Sequence, residues 1–295
     1  MTAGLGTRLL PLTNARAKPA MPVAGEPMIR RIIGWLSAQG VTDVVLNLHH
    51  RPETLTRVVG DGVDLGVRAR YSWEHPKVLG SAGGPRKALT LLPDTFLLIN
   101  GDTLTDMDLA GVAAAHAESG AVVTLAVVPN REPDHYGGVI ADADGRVTGF
   151  SRRGPASRDS WHFVGVQVVN RDAFASLPEN EPSSSVGGAY DALIARQPGS
   201  VRAFPCEAQF WDVGTADDYL RTSLAFAPEG SVGRGARIHP TATLAGSVLW
   251  DDVAVGANAS VSDCIVADGV VVPAGSTYRR SILMADGDTV HVTPF

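Results

Sequence analysis

The first twenty residues carry a pattern of glycines and cations that fits phosphate binding. Gly4 and Gly6 stand two apart, and Arg8 and Lys18 follow them. Because glycine has no Cβ, a glycine-rich turn lets backbone N–H groups converge on an anion. A guanidinium offers phosphate oxygens a planar fork, whereas an ammonium is a compact point charge. The combination suits a triphosphate, although a Gly-x-Gly pair alone is more often an ordinary turn.

Two familiar phosphate fingerprints are absent. The dinucleotide fingerprint needs a third glycine where the chain has Leu9, and no Gly-Lys-Ser/Thr occurs for a P-loop. The chain instead reads Gly-x-Gly-Thr-Arg-x-x-Pro-Leu-Thr over residues 4–13, then Lys18-Pro19, then Pro-Val-x-Gly-x-Pro over residues 22–27. In this pattern it resembles the sugar-1-phosphate nucleotidyltransferases, also called nucleotide-sugar pyrophosphorylases.

The resemblance implies a reaction. A phosphate oxygen of a sugar 1-phosphate attacks the α-phosphorus of a nucleoside triphosphate, and pyrophosphate leaves. Since both reactants are anions, positioning and charge neutralisation are the main tasks, and no covalent intermediate is needed. Lys18 would bridge the α-phosphate and the incoming sugar phosphate. The implied catalytic residues are Arg8, Lys18 and Asp102. The residues implied at the base and the triphosphate are Ala3, Gly4, Gly6, Thr7 and Arg8.

Two aspartates are predicted to hold Mg²⁺. Asp102 follows the apolar run 95–100 and a glycine, and ligands of open α/β sheets lie beyond the carboxyl ends of the strands. Asp212 matches the family's Trp-x-Asp-x-Gly-Thr motif, except that Trp211 adjoins it directly. Magnesium prefers carboxylate, phosphate and water oxygens, so one or two aspartates suffice.

The resemblance also implies contacts with the base. Residues 79–84 match the family's second base-binding turn and include the predicted contacts Gly80 and Ser81. Glu74 lies shortly before them. Guanine presents two adjacent donors to an accepting carboxylate, whereas uracil and thymine present one, so Glu74 favours guanine. The alternative for Glu74 is a solvated acid at a strand end.

The predicted sugar-phosphate contacts are Gly137, Arg153 and Gly165. For the two glycines the alternative is a hairpin or a β-bulge. Many relatives carry Glu-Lys after the phenylalanine that is Phe150 in this chain, where Arg152-Arg153 follows instead. The arginine could hold the sugar phosphate, but the missing glutamate leaves the identity of the sugar open.

The helices and strands that must position these residues are predicted to form an α/β fold. Helix and strand patterns alternate at short spacing from residue 27, which predicts a Rossmann-like, mixed and mostly parallel sheet covered on both faces. Predicted helices run from Pro27 to Gly40, over 53–59 and over 82–92, and begin again at 216, whereas predicted strands cover 44–48, 67–73, 95–100, 147–150 and 163–169.

A different period begins after residue 228. Apolar residues recur every six positions from Val232 to Val272, with two slips to five. This spacing resembles the hexapeptide repeat of a left-handed parallel β-helix, with room for about two to three coils. So short a stack exposes much of its core, so we expect it to pack on the catalytic domain or on another subunit. The predicted domains are residues 1–228, catalytic, and 229–295, β-helix.

Only Met1 and Thr2 precede Ala3, where the resembling family has a central strand. The sequence therefore predicts that the first strand is missing from the chain as written. Either the start of the chain has been assigned too late, or the product is impaired.

Composition excludes several classes of partner. The net charge of −6 does not indicate a nucleic-acid surface. Cys206 and Cys264 lack metal-ligand spacing and suit a reducing cytoplasm. No apolar run reaches about 18 residues and no signal peptide is recognisable, so no membrane partner is expected. The expected partners are a nucleoside triphosphate, a sugar 1-phosphate and further copies of this chain.

The favoured function is guanylyl transfer to a mannose-like 1-phosphate, because residues 80–84, Glu74 and the β-helix resemble features of the family's subgroup with that activity. Uridylyl or thymidylyl transfer to another sugar 1-phosphate is the alternative. A catalytically silent, nucleotide-sugar-binding regulatory subunit is a third hypothesis, but silent relatives would be expected to lose the signature cations or the metal aspartate, which this chain keeps. Acyl transfer by the β-helix is weaker, because His239 and His291 alone give no convincing base.

Overall fold

A computed structural model describes residues 1–287 and 289–295. The chain forms two compact units. Unit 1 comprises Met1–Gly4, Ile33–His49 and Asp61–Phe210. Unit 2 comprises Leu5–Ile32, His50–Gly60 and Trp211–Phe295, and so contains most of the glycine and cation signature together with the repeats.

Seven α-helices lie within the described residues. They are α1 Met28–Ala38, α2 Pro52–Val59, α3 Gly80–Ala88, α4 Leu109–Ser119, α5 Asp172–Ala175, α6 Tyr190–Arg196 and α7 Ala216–Phe226. The strands before the repeats are β1 Pro22–Val23, β2 Glu26–Pro27, β3 Asp43–Leu48, β4 Arg68–Trp73, β5 Thr95–Ile99, β6 Thr103–Thr105, β7 Val123–Pro129, β8 Gly138–Ala141, β9 Val147–Ser151, β10 Trp161–Asn170, β11 Val201–Pro205 and β12 Phe210–Asp212. The strands of the repeats are β13 Gly230–Val232, β14 Arg237–Ile238, β15 Thr243–Ala245, β16 Ser247–Leu249, β17 Ala254–Val255, β18 Ser260–Ser262, β19 Ile265–Val266, β20 Val271–Val272, β21 Thr277–Arg279, β22 Ser281–Asp286 and β23 Thr289–Pro294.

The sheet of unit 1 is mixed, as the sequence predicts. Its strands run in the order β11-β7-β10-β8-β9, with β5 also paired to β10. Parallel pairing joins β7 to β11 and, in a separate pair, β3 to β4. Strand β10 runs antiparallel to β5, β7 and β8, so antiparallel pairing is more extensive than predicted. A short connection joins the antiparallel neighbours β8 and β9, whereas the antiparallel partners of β10 do not directly precede it in the chain.

Helix α3 begins earlier than predicted. The sequence suggests a glycine-rich turn followed by a helix from residue 82, but the helix already includes Gly80. The backbone carbonyl of Ser183 accepts from the N–H groups of Ala82 and Gly83 at 2.9 and 3.3 Å. A Cβ at Gly83 would lie 2.5 Å from the carbonyl oxygen of Glu181. The glycines therefore allow the helix start to pack closely against residues 181–183.

The first two residues are bonded to the ends of two strands. The amino group of Met1 donates to the carbonyl of Ile99 at the end of β5, and its carbonyl accepts from Gly101 N–H at 2.9 Å. Thr2 donates to Asn47 of β3 through its N–H at 2.6 Å and also through its hydroxyl. These bonds place Ala3 and Gly4 just beyond the carboxyl ends of β3 and β5, where ligands of α/β sheets bind. The predicted absence of a first strand stays a prediction.

The repeats form a parallel β-helix, as predicted. Strands β13-β16-β19-β22, β14-β17-β20 and β15-β18-β21 make its three sheets, and every ladder between successive coils is parallel. The antiparallel strand β23 then pairs with β22. The interior is filled by the periodic apolar residues, including Val255, Val261, Val266 and Val272.

Burial is uneven along the coils. Val232 and Ile238 in the first coil are exposed, whereas their counterparts in later coils are buried. Helix α7, which precedes the repeats, packs against β13 and β16. This contact agrees with the expectation that so short a stack is covered by residues outside the repeats.

No helix within residues 1–287 and 289–295 has the length and apolar character needed to cross a membrane.

Two adjacent valines on β20 test which side chains face the interior of the β-helix. Val272 is fully buried and Val271 is 62% exposed. Val272→Ala removes two methyl groups from a packed interior and is expected to lower the free energy of unfolding by about 2 kcal/mol. Val271→Ala, the matched control, is expected to change it by less than about 0.5 kcal/mol. Equilibrium chemical denaturation measures both, and equal effects would contradict the assigned orientation.

Candidate active site

The glycine turn of unit 2 folds back on the residues that follow it. Gly6 has φ +62°, and a Cβ there would lie 2.7 Å from the Cγ2 of Thr13 and 3.5 Å from the Cβ of Lys18. The hydroxyl of Thr13 donates to the carbonyl of Gly6 at 3.2 Å. Packing therefore brings together the turn and Lys18, two parts of the signature that are twelve residues apart in sequence.

Lys18 itself is buried, with 9% of its surface exposed, in the short 3₁₀ helix Lys18–Ala20. The backbone on its N-terminal side is held by the start of α2. Ala17 N–H donates to the hydroxyl of Thr54 at 3.0 Å, and Nε2 of His50 donates to the Thr13 carbonyl at 2.8 Å. The backbone that carries Lys18 is therefore fixed by hydrogen bonds to residues 50–54.

Arg8 is exposed and lies against the motif that contains Asp212. A Cβ at Gly214 would lie 3.1 Å from Nη1 of Arg8 and 3.1 Å from Oδ2 of Asp218. Glycine at 214 thus leaves room for the guanidinium two residues after Asp212. Unit 2 therefore gathers Gly6, Thr7, Arg8, Lys18 and Asp212 of the predicted site.

Helix α7 fixes the end of this motif. The carboxylate of Asp218 accepts from the N–H and the hydroxyl of Thr215 at 2.9 and 2.8 Å, and Asp218 N–H donates back to that hydroxyl at 3.2 Å. This is a capping box, which satisfies two otherwise unpaired donors at the helix start. The residues between Asp212 and α7 are thereby held in one conformation.

In unit 1, Asp102 lies in the turn after β5, and Gly165 lies beside that turn. The N–H of Asn100 donates to the carbonyl of Gly165 at 2.8 Å. Gly165 has φ +83°, and a Cβ there would lie 3.1 Å from the side chains of Asn100 and Thr103. The predicted metal residue Asp102 and the predicted sugar residue Gly165 are therefore neighbours.

Glu74 is placed differently from the sequence expectation of an accessible acid. It is only 2% exposed, and both carboxylate oxygens accept hydrogen bonds within unit 1. Oε1 accepts from Nδ2 of Asn47 at 2.7 Å, and Oε2 accepts from Leu79 N–H at 2.6 Å. A Cβ at Gly84 would lie 2.5 Å from Oε1. The carboxylate thus ties β3 to the start of α3.

The other predicted base contacts also have internal partners. Gly80 has φ +76°, and a Cβ there would lie 2.8 Å from the carbonyl oxygen of Ser183. The hydroxyl of Ser81 accepts from Ser185 N–H at 2.8 Å. Both residues therefore pack the start of α3 against residues 183–185.

The sugar residues Gly137 and Arg153 are brought together. A Cβ at Gly137 would lie 2.8 Å from the carbonyl oxygen of Ser151 and 3.8 Å from the backbone nitrogen of Arg153. The side chain of Arg153 is exposed. Gly165 belongs instead to the neighbourhood of Asp102, so the predicted sugar contacts form two groups within unit 1.

An aromatic cluster beside Gly137 was not predicted from the sequence. Tyr136 packs on His162 with ring centroids 4.1 Å apart, and His162 packs on Phe210 at 4.8 Å. His135 meets Tyr136 edge-on at 4.4 Å. His135 and Tyr136 directly precede the two glycines 137 and 138, whereas His162 and Phe210 come from segments distant in sequence.

Comparison with known proteins identifies the chain. Residues 1–228 match the sequence model of the family described as nucleotidyl transferase, and residues 228–282 match a GlmU-like C-terminal hexapeptide region. The chain belongs to the nucleotidyl transferase family. The resemblance drawn from the signature is thereby confirmed.

Individual relatives are sugar-1-phosphate nucleotidyltransferases as well. The chain is 31% identical over 297 residues to mannose-1-phosphate guanylyltransferase of Mycobacterium tuberculosis, covering 95% of this chain and 82% of that protein. It is 26% identical to UTP–glucose-1-phosphate uridylyltransferase of Synechocystis, covering 98% and 80%. HddC from Yersinia pseudotuberculosis has the same fold, with a TM-score of 0.66 at 21% identity over 76% of this chain and 96% of that chain.

Sugar nucleotidyltransferases generally use a divalent metal. Within residues 1–287 and 289–295, no group of three or more histidine, cysteine, aspartate or glutamate side chains is placed to hold a metal ion. A magnesium ion that binds a nucleotide keeps one or two carboxylates, the phosphates and water as ligands. Asp102 and Asp212 each offer a carboxylate, the type of ligand that such an ion takes from a protein.

His162 makes the stability of this nucleotidyl transferase depend on pH. Burial, and secondarily the charge of His135, lowers the pKa of His162 from 6.5 to about 4. The unfolded chain therefore binds a proton that the folded chain rejects between these values. The contribution of neutral His162 to the free energy of unfolding is fully present above pH 6.5 and is lost as the pH falls toward 4.

We therefore expect the wild type to lose about 2 kcal/mol more stability than His162→Phe between pH 7 and pH 4. Phenylalanine keeps the ring stacking on Tyr136 and Phe210 but cannot take up a proton. Urea unfolding at several pH values measures the difference. The same pH dependence in both proteins would contradict the assignment.

Proposed function

We propose that the chain transfers GMP from GTP to the 1-phosphate of mannose or a mannose-like sugar, releasing pyrophosphate. The observation that carries the proposal is the arrangement in unit 2, where the Gly6 turn packs on Lys18 and the guanidinium of Arg8 lies against Gly214. The similarity to the mycobacterial mannose-1-phosphate guanylyltransferase over nearly the whole chain supports the choice of substrates.

In the proposed reaction the protein binds, orients and neutralises two anions. The N–H groups of the turn from Gly4 to Thr7 and the guanidinium of Arg8 hold the triphosphate. The ammonium of Lys18 lies between the α-phosphate and the attacking sugar phosphate and offsets the charge that builds up there. The sugar phosphate oxygen forms the new bond to phosphorus as the bond to pyrophosphate breaks. Mg²⁺, held by Asp102 and Asp212, would supply further charge neutralisation on the phosphates.

The base and the sugar would bind at unit 1. Ala3 and Gly4 would contact the base through backbone groups beyond β3 and β5, next to the start of α3 at Gly80 and Ser81. Glu74 would act on these contacts indirectly, because Asn47 joins it to Thr2 and because it holds Leu79. The backbones of Gly137 and Gly165 and the exposed Arg153 would receive the sugar phosphate.

The organisation of the chain is part of the proposal. Residues 1–228 would act as the catalytic domain and residues 229–295 as the β-helix domain. The enzyme would work as a homo-oligomer in the cytoplasm, where the free thiols of Cys206 and Cys264 stay reduced.

A second candidate is uridylyl transfer to a glucose-like 1-phosphate. Its support is the similarity to the Synechocystis uridylyltransferase across 98% of the chain. The internal bonds of Glu74 also weaken the argument that this carboxylate reads guanine directly.

Pyrophosphate release decides between the two. The purified chain is assayed with GTP, ATP, UTP and dTTP, each paired with mannose 1-phosphate and glucose 1-phosphate. We expect the highest kcat/KM with GTP and mannose 1-phosphate. A preference for UTP and glucose 1-phosphate would establish the second candidate, and no turnover with any pair would overturn both.

The same assay tests Lys18. Lys18→Ala is expected to lower kcat/KM by a factor of about 10²–10³, because the transition state loses a fixed positive charge. The matched control is Lys77→Ala, which removes an exposed lysine paired with Glu181 at 3.0 Å and should retain activity. Circular dichroism checks that both variants are folded. Full turnover in Lys18→Ala would refute its assignment.

Glu74→Gln separates direct reading of the base from an indirect role. The amide keeps the size of the side chain but places an NH₂ group opposite the N–H of Leu79 or the amide of Asn47. We expect a loss of stability of about 1–3 kcal/mol and a similar fractional loss of activity with every triphosphate. A selective change in the ratio of GTP to UTP turnover would show that Glu74 contacts the base.

A further inference from the structure

Arg16, two residues before Lys18, forms ion pairs with two aspartates of the β-helix. Its guanidinium donates to both carboxylate oxygens of Asp268, from Nε at 2.7 Å and from Nη2 at 2.6 Å. Nη2 also donates to Asp251 at 2.8 Å. The side chain is only 14% exposed. A paired guanidinium in this geometry is held more strongly than an exposed surface pair.

The two carboxylates come from successive coils of the β-helix. Asp251 follows β16 and Asp268 follows β19, and these strands pair in register at Leu249 and Val266. Asp251 N–H donates to Oδ1 of Asp268 at 3.1 Å, so the coil stacking itself sets the distance between the two acids. The β-helix therefore presents a preformed site for one guanidinium.

An aromatic pair completes the contact. The Arg16 guanidinium lies 5.2 Å from the centre of the Trp250 ring, which is fully buried. The indole N–H of Trp250 donates to the hydroxyl of Tyr219 at 2.9 Å. That hydroxyl in turn donates to the carbonyl of Pro22. We call these residues the Arg16 cluster: Arg16, Tyr219, Trp250, Asp251 and Asp268.

The Arg16 cluster thus holds the signature segment at both ends. Arg16 is the first point of attachment and Pro22 the second, and Lys18 lies between them. Within this interval the N–H groups of Ala20 and Met21 close the short helix that carries Lys18. Charge supports the same arrangement, since the hydrogen bond from Arg16 keeps the pKa of Asp251 below its usual value although burial alone would raise it.

We propose that Arg16 is a positioning residue through which the β-helix aligns Lys18 for nucleotidyl transfer. The inference rests on the proposed role of Lys18. The contacts of Arg16 are observed in the structure and do not depend on that role. A lysine at position 16 could keep a positive charge but could not bond to both aspartates with a planar fork. The β-helix is then a working part of the catalytic site and not only a support for the fold.

The test compares Arg16→Ala and Arg16→Lys with Arg280→Ala. Arg280 makes contacts of the same kinds, an ion pair to Asp217 at 2.6 Å and a cation–π contact to Phe295 at 5.5 Å. It also joins α7 to the β-helix, and its ion pair and ring contact lie outside residues 16–22. It is therefore a matched control for the general loss of an arginine from this unit.

Steady-state kinetics with the preferred substrate pair give the first readout. Arg16→Ala is expected to lower kcat at least tenfold while KM for the triphosphate changes less than threefold, because Lys18 acts on the group being transferred. Arg16→Lys should recover only part of kcat, and Arg280→Ala should stay within twofold of wild type. Equal losses of kcat in Arg16→Ala and Arg280→Ala would overturn the proposal.

Hydrogen exchange of the full chain without substrates gives a second readout that does not need activity. The amides of Ala20 and Met21 should exchange at least tenfold faster in Arg16→Ala and in Arg16→Lys than in wild type, but not in Arg280→Ala. Unchanged exchange in both Arg16 variants would overturn the proposal. If the wild type turns over no substrate pair, the proposed function fails and exchange alone decides whether Arg16 positions this segment.

Discussion

The structure of the signature depends on a close approach of backbone at Gly6. A side chain there would overlap Thr13, so only glycine lets the turn lie against the residues that lead to Lys18. With φ +62° the turn also adopts the left-handed conformation that glycine accepts without strain. This single contact brings together the glycine turn and Lys18, which are far apart in sequence. This packing fixes the position of the turn relative to Lys18.

The β-helix contributes to that surface through its repetition. A coil stack places equivalent residues of successive coils one above the other, and Asp251 and Asp268 are such a pair. Two acids at a fixed spacing can hold one guanidinium by both edges, which a flexible tail could not do. The buried valines of the same coils keep that spacing rigid. The repeats thus form their own core and also hold Arg16, two residues before Lys18.

Much of this fold is predictable from the sequence because its signals are local and periodic. The apolar run of β5, the amphipathic face of α1 and the spacing of the coil valines each specify an element without knowledge of its neighbours. The early start of α3, the direction of β10 and the contacts of Arg16 depend on residues distant in sequence. For Arg16 a signal was present, since the two aspartates recur one coil apart, but nothing local links them to a residue near the N-terminus.

Glu74 shows how one buried charge can serve two predicted contacts that it does not touch. Its Oε1 accepts from Asn47, and the side-chain oxygen of Asn47 accepts from Thr2 N–H, immediately before Ala3. Its Oε2 accepts from Leu79, immediately before Gly80. The two segments expected at the base are therefore tied to the same carboxylate.

Arg16 plays the equivalent part in unit 2, where one guanidinium connects two coils to the segment that holds Lys18. In both units an ionic side chain with internal partners holds the backbone next to residues that are proposed to bind the ligand. Buried charges of this kind are costly to leave unpaired, so each holds its partners in one geometry. That rigidity suits a reaction whose main requirement is the alignment of two anions.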